Sequence, residues 1–228
     1  MEFSQEISQI PIFPLPLVLM PAEVLPLHIF EPRYRAMLED VSETDNSFGV
    51  VLYDETTADD GRPAIGTIGC LAEIRQTMKM DDGRSNILTV GVQRFEIIEY
   101  TETLDPYLVA TVEFFNDEPD TSEELFDAIL RLSDLFSQTI DTARSSLEIG
   151  ESNPVVNDED PEEFGFIVCN ALRLSNTERY SALRTRSSLE RLRSVSARLE
   201  RLLDSLSEAE QLRRLSKTNG HSKKGLDF

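Results

Sequence analysis

Prolines punctuate the first long apolar stretch of the chain. Ile10 to Leu27 reads Ile-Pro-Ile-Phe-Pro-Leu-Pro-Leu-Val-Leu-Met-Pro-Ala-Glu-Val-Leu-Pro-Leu. A helix interior does not accept the proline ring and its missing N–H at that frequency, whereas edge strands and turns do, so the pattern predicts extended structure. Pro32 then falls where a first helical turn accepts it, and Tyr34, Met37, Leu38 and Val41 follow at helical spacing, which predicts one short helix. Beyond it the period drops to two. Phe48 to Tyr53 is a compact apolar run, and Ile68, Cys70, Ala72 and Ile74 recur at every second position. Asp82-Gly83 has the form of a hairpin turn, with well-defined register expected in the strands it joins. Leu88, Val90 and Val92, then Phe95 and Ile97, then Leu108, Ala110, Val112 and Phe114 continue the alternation. About six strands with one helix among them precede residue 116, and a small closed or nearly closed barrel is the economical way to pair them.

The period changes again at Asn116-Asp117-Glu118-Pro119-Asp120, an acidic proline-containing stretch that ends the strands. Thr121 with Glu124 has capping-box spacing. Leu125, Ile129, Leu132, Phe136, Ile140, Ala143 and Leu147 then advance by alternating steps of four and three, one apolar stripe along a long helix. Asp160-Pro161-Glu162-Glu163 starts a second helix, with an N-cap, a first-turn proline and acids at the positive end of the dipole. Ser175 with Glu178 and Ser187 with Glu190 repeat the capping-box spacing, predicting a short helix and then a long one striped by Leu189, Leu192, Val195, Leu199, Leu202 and Leu206. The expected division is a β-barrel domain over 1–118, a helical bundle over 119–217 and a flexible tail over 218–228.

Charge narrows the partners. Among 228 residues, 42 acidic side chains against 22 basic ones give a formal net charge of −20, which repels a nucleic-acid backbone over most of the surface. Only residues 178–228 are locally basic, with 12 Lys or Arg against 7 Asp or Glu. No stretch approaches the ~20 apolar residues that span a bilayer, and Met1 to Gln9 lacks a basic leader, so neither a signal nor a membrane span is expected. Cys70 and Cys169 are too few for a disulfide framework or a zinc site and read as reduced structural thiols in a cytoplasmic protein.

Catalytic chemistry is sought and not found. No Gly-x-x-x-x-Gly-Lys loop, no Gly-x-Ser-x-Gly elbow and no Ser-x-x-Lys occurs. The only histidines are His28, which sits in an apolar run and reads as structural, and His221. Gly66-Thr67-Ile68-Gly69 has the form of a nucleic-acid clamp, but no basic cluster adjoins it, so glycine for a bend or bulge is the preferred reading. The arginines from Arg184 to Arg201 alternate with Glu190, Glu200 and leucines, as on a solvated helix face held by charge pairs. No catalytic, metal, cofactor or substrate-binding residue is assigned.

Ile10-Pro-Ile-Phe-Pro-Leu15, Val24-Leu-Pro-Leu-His-Ile-Phe-Glu-Pro-Arg-Tyr34, Ile65-Gly-Thr-Ile-Gly69, Asp82-Gly83 and Gly91-Val-Gln-Arg-Phe95 together resemble, in order and spacing, the N-terminal substrate-binding domain of Lon proteases. Asp160-Pro-Glu-Glu-Phe164, Ala171-Leu-Arg-Leu174 and the Glu178 to Leu192 stretch resemble the helical segment that follows it, so the likeness runs over roughly residues 8 to 205. The resemblance implies an α+β fold, a PUA-like small β barrel with one short helix followed by a C-terminal helical bundle. It also implies engagement of protein substrates, with ATPase and peptidase domains, absent from this sequence, doing the proteolysis in full-length Lon. The chain is expected to be a stand-alone, non-catalytic member that binds polypeptide as an adaptor or a chaperone-like factor without a cofactor. RNA binding through the barrel is the alternative, and it requires a basic surface where residues 1–177 hold 10 basic against 35 acidic side chains. The apolar run Ile10 to Phe30 either contacts unfolded segments or closes the barrel core, and the core reading is preferred.

Overall fold

The computed structural model describes residues 7–53, 62–147 and 160–219. Six strands, β1 (Ile7–Leu15), β2 (Val24–Ile29), β3 (Ser47–Leu52), β4 (Ile68–Lys79), β5 (Ser85–Thr101) and β6 (Leu108–Phe115), enclose one helix in sequence, α1 (Pro32–Ser42). Four helices follow: α2 (Glu123–Leu147), α3 (Pro161–Ala171), α4 (Asn176–Arg184) and α5 (Ser188–Asn219). The sheet order is β2-β5-β4-β3-β1-β6, and β6 pairs back onto β5, so β1, β3, β4, β5 and β6 form a closed ring. The fold is α+β.

β1 shows how this proline-rich strand is possible. Its residues 7–12 pair with β6 and 12–15 with β3, so Pro11 and Pro14 each lie where only one neighbouring strand is in register. A ring nitrogen aimed at the open side leaves no ladder bond missing. Ile10, Ile12, Val51, Phe95, Ile97, Ala110 and Val112 fill the barrel interior, and the outer side of β1 is covered too, Phe13 lying 4.0 Å from Tyr34 of α1 between ring centroids. α1 buries Tyr34, Met37, Leu38 and Val41, the four positions whose spacing predicts it. The run from Ile10 therefore divides: its first half is core, with Val18, Leu19 and Met20 buried, whereas Val24 and Phe30 are exposed.

The chain separates into two compact units, and they are not contiguous in sequence. One holds residues 1–118 and 165–187, the other 119–164 and 188–228. This departs from a single helical bundle over 119–217, and polar side chains supply the reason. Asn176 Nδ2 donates to Pro16 O at 3.0 Å, Asn170 Nδ2 to Pro21 O at 2.9 Å, and Arg179 Nε and Nη2 both to Val18 O. Arg179 also pairs with Glu23, whose carboxylate caps Met20 N. The carbonyls of Pro16, Val18 and Pro21 in the 16–23 turn need donors, and the α3–α4 segment supplies them.

Arg94 makes a second tie within the same unit. Its side chain on β5 is fully buried, Nη1 donates to Leu183 O and Thr185 O at 3.0 and 2.6 Å, and Nη2 pairs with Asp117 at 2.5 Å. Phe115 and Phe166 lie against the guanidinium at 4.6 and 5.3 Å. Charge pairing alone does not repay burial of an arginine, and the two carbonyl acceptors on Nη1 add to it.

In the other unit α2 packs along α5 through the predicted stripes: Leu125, Ile129, Leu132 and Phe136 are buried on one, Leu192, Val195 and Leu199 on the other. Arg193–Glu124 and Arg131–Glu200 bridge the pair, as expected of the arginine series, but Arg191 of the same series is buried. The α2 cap is one residue later than the Thr121–Glu124 spacing predicts. Ser122 Oγ accepts from Leu125 N at 3.2 Å, and Asp120 Oδ1 in turn accepts from Ser122 N. Asp160 and the Ser175–Glu178 box cap α3 and α4 as predicted. The tail beyond residue 219 lies outside the described residues.

Candidate functional site

Register assigns the sheet faces. Gly49 and Gly69 point a Cβ at the Phe95 ring, which marks their side as the barrel interior, and Leu71, paired with Gln93, belongs to it. Following that face outward along β4 gives Glu73, Gln76 and Met78, and along β5 gives Val90, Leu88 and Asn86. On β2 the partners of these three β5 residues are Val24, Pro26 and His28. The lining of the barrel thus continues past its mouth onto a three-stranded apron made by β2, the first half of β5 and the second half of β4.

Two register shifts, between Leu71 and Ala72 and between Ile74 and Gln76, let β4 and β5 leave the ring and continue as the apron. The pairing after the Asp82-Gly83 turn has the defined register expected, with two bulges in it. These bulges also explain why Leu88, Val90 and Val92 are only partly covered while Ile87, Thr89 and Gly91 between them are buried.

The apron face is apolar and open. Val24, Phe30 and Met78 are 56%, 58% and 61% exposed, and Leu88 and Val90 are half-buried between them. Its one carboxylate, Glu73, pairs with Arg75 at 2.9 Å; among its other polar members His28 Nδ1 lies 2.7 Å from Asn86 Oδ1, and the imidazole stacks on Phe30 at 5.9 Å. His28 thus orders the outer strand. Gly91 N donates to Glu23 O, so the odd residues of β2 bond towards β5 and the even ones face the free edge. Pro26 falls at the centre of that edge and removes a donor from it, which blunts strand addition there.

At the mouth, Ser8, Ile10, Asp45, Leu71, Gln93 and Phe114 line a cleft of about 400 Å³. Gln93 Nε2 donates to Phe115 O at 2.8 Å and to Asn116 Oδ1 at 2.7 Å, which holds the end of β6 as one wall.

The remaining sequence candidates are structural. Burial pushes the Cys70 thiol well above its ordinary range, so it is no nucleophile at neutral pH, and Cys169 is buried as well. Gly66 turns the chain at a φ of 84°, and at Gly69 a Cβ would lie 2.4 Å from the Phe95 ring. The Gly-x-x-Gly spacing reports a turn and a close approach, the second being tight packing where a bend or bulge was expected. Among the described residues no group of three or more His, Cys, Asp or Glu is placed to hold a metal, and no helix is long and apolar enough to cross a membrane. His221 lies outside them.

The mouth and apron were not legible as a site in the sequence, because their residues come from six separated segments that only the strand register aligns. The signal that was present is the apolar alternation on β5, stronger on the half-exposed face than a solvent-facing strand requires.

Comparison with known proteins agrees with this architecture. Residues 9–207 match the family described as the ATP-dependent protease La (LON) substrate-binding domain. Lon protease 2 of Syntrophobacter fumaroxidans is 28% identical over 197 residues, covering 86% of this chain and 25% of that one. Lon protease of Parabacteroides distasonis is 34% identical over 124 residues, 53% of this chain and 15% of the relative. The chain thus spans a quarter or less of these relatives. A crystal structure of a Lon N-terminal domain protein from Xanthomonas campestris superposes with a TM-score of 0.59 at 26% identity, over 83% of this chain and 98% of that one. The N-terminal domain of Mycobacterium avium complex Lon protease gives 0.63 at 18% identity over 85% and 98%, a likeness of fold. With the family match running over most of its length, the chain belongs to the Lon substrate-binding domain family.

Proposed function

We propose that this protein is a non-catalytic polypeptide-binding module of the cytoplasm that holds extended apolar segments of other proteins on its mouth-and-apron surface. One observation carries the reading: the lining of a closed barrel continues, past Glu73 and two bulges, onto an exposed sheet face bearing Val24, Leu88, Val90 and Met78. A contiguous apolar patch of this kind marks an interaction surface. An extended segment lying along β5 would place alternate side chains against Val90, Leu88 and the Phe30–His28 stack, while Pro26 keeps it from joining the sheet through the edge. Two buried free thiols suit a reducing compartment, and the family to which the chain belongs supports substrate binding.

The reading is tested by fluorescence anisotropy with a labelled protein kept unfolded by reduction and alkylation of its cysteines. Val24→Glu and Met78→Glu alter exposed side chains and leave the fold intact. Each is expected to weaken binding about tenfold, ~1.4 kcal/mol, and Glu99→Gln, away from the apron, to leave it unchanged. Equal binding by all three variants and the parent would remove the apron from the function.

A further inference from the structure

We propose that the barrel mouth is a receptor for the N-terminal residue of a bound polypeptide, taking a large apolar first side chain into the cleft and its α-ammonium group against Asp45. This rests on the polypeptide-binding reading and names which part of a polypeptide the mouth selects.

The cleft has the composition such a ligand requires. Its floor is apolar, formed by Ile10, Leu71 and Phe114 over the barrel core, and at about 400 Å³ it falls within the range of ~300–1,000 Å³ typical of ligand clefts. A floor of this kind takes an aliphatic or aromatic side chain. Asp45 is the only ionisable side chain among its lining residues, so the lining carries a negative charge.

Asp45 is also held in place. Its Oδ1 accepts from Ser47 N at 3.3 Å, with the Thr44 hydroxyl shared between it and Val41 O, and Asn46 next to it adopts a positive φ of 55° while its carbonyl accepts from Ile74 N at 2.8 Å. These bonds engage Oδ1, and among the described residues Oδ2 has no partner. A fixed carboxylate oxygen at the rim of an apolar cleft fits a primary ammonium separated from an apolar side chain by one carbon. Charge acts in the same sense over longer range, since residues 1–118 hold 22 acidic against 7 basic side chains and attract a cationic group. The apron begins where the mouth ends, so a chain whose first residue sits in the cleft has an apolar face along which to continue.

The experiment uses the full chain and three probes: a fluorescent 12-residue peptide beginning with Phe and otherwise composed of Ala, Ser and Leu, the same peptide N-acetylated, and the same sequence with Phe and the second residue, Ser, exchanged. The free-amine Phe peptide is expected to bind at least fivefold more tightly than either of the others. Asp45→Asn, which keeps an Oδ1 acceptor for Ser47 N, should remove that preference while binding of the acetylated peptide stays unchanged. Ser8→Lys, a second change at the half-exposed rim, should remove it too, by repelling the ammonium. Equal affinity for free and acetylated peptides, or a preference that survives Asp45→Asn, overturns the inference while leaving polypeptide binding standing. Failure of all three peptides to bind overturns both.

Discussion

Arg94 and Gly69 fix the barrel from opposite requirements, one by satisfying a buried charge and the other by leaving no room. Removing the carboxylate that faces Arg94 strands a guanidinium in the interior, and Asp117→Ala is expected to lower stability by about 3–5 kcal/mol, read from denaturant unfolding monitored by tyrosine fluorescence. Gly69→Ala pushes a methyl group into the Phe95 ring and into Val50 O, 2.7 Å from the new Cβ. Overpacking of this kind costs about 1–3 kcal/mol, and the same measurement checks it. Neither role was legible beforehand. Arg94 sits in a strand whose alternation gives it no distinction from a surface residue, and its acceptors lie about 90 residues away on a helix C-terminus. The glycine spacing was legible, but close packing and a bend read identically until the ring opposite is known.

Elements were far more readable than their ends or their pairings. Each strand and helix falls where period and punctuation place it, because both the two-residue alternation and the four-three stripe record burial on one side of a single element. The cap of α2 was harder: Asp120, Thr121 and Ser122 all qualify by chemistry, and the choice depends on which residue turns out of the helix. Ser122→Ala is expected to cost about 1 kcal/mol and Thr121→Ala close to nothing, a contrast that thermal unfolding of the two variants reads directly. Asp120 remains a support for that cap, its carboxyl held below the ordinary range by the hydrogen bonds from Ser122. The bulges in β4 and β5 left no mark in the sequence at all, since the extra residues, Arg75 and Val92, are as compatible with a regular strand as with an interrupted one.

At the scale of the molecule, a closed barrel carries a sheet extension with an exposed apolar face. The apron keeps its charged groups few although the chain has a net charge of −20, so its apolar character is not a by-product of overall composition. The division into units depends in the same way on particular side chains. Residues 165–187 join the barrel through Asn170, Asn176 and Arg179, which donate to carbonyls of the 16–23 turn, a pairing across some 150 residues that no local pattern announces.

The central claim is that polypeptide lies on the mouth and apron. Amide hydrogen exchange of the full chain, with and without a saturating unfolded polypeptide, measures this directly. The account predicts slower exchange confined to β2, residues 85–93 of β5, residues 71–79 of β4 and the mouth segments 8–10, 45–47 and 114–116, with the α2 and α5 amides unchanged. Protection centred on α2 or α5, or none on the apron under conditions where binding is complete, would contradict it.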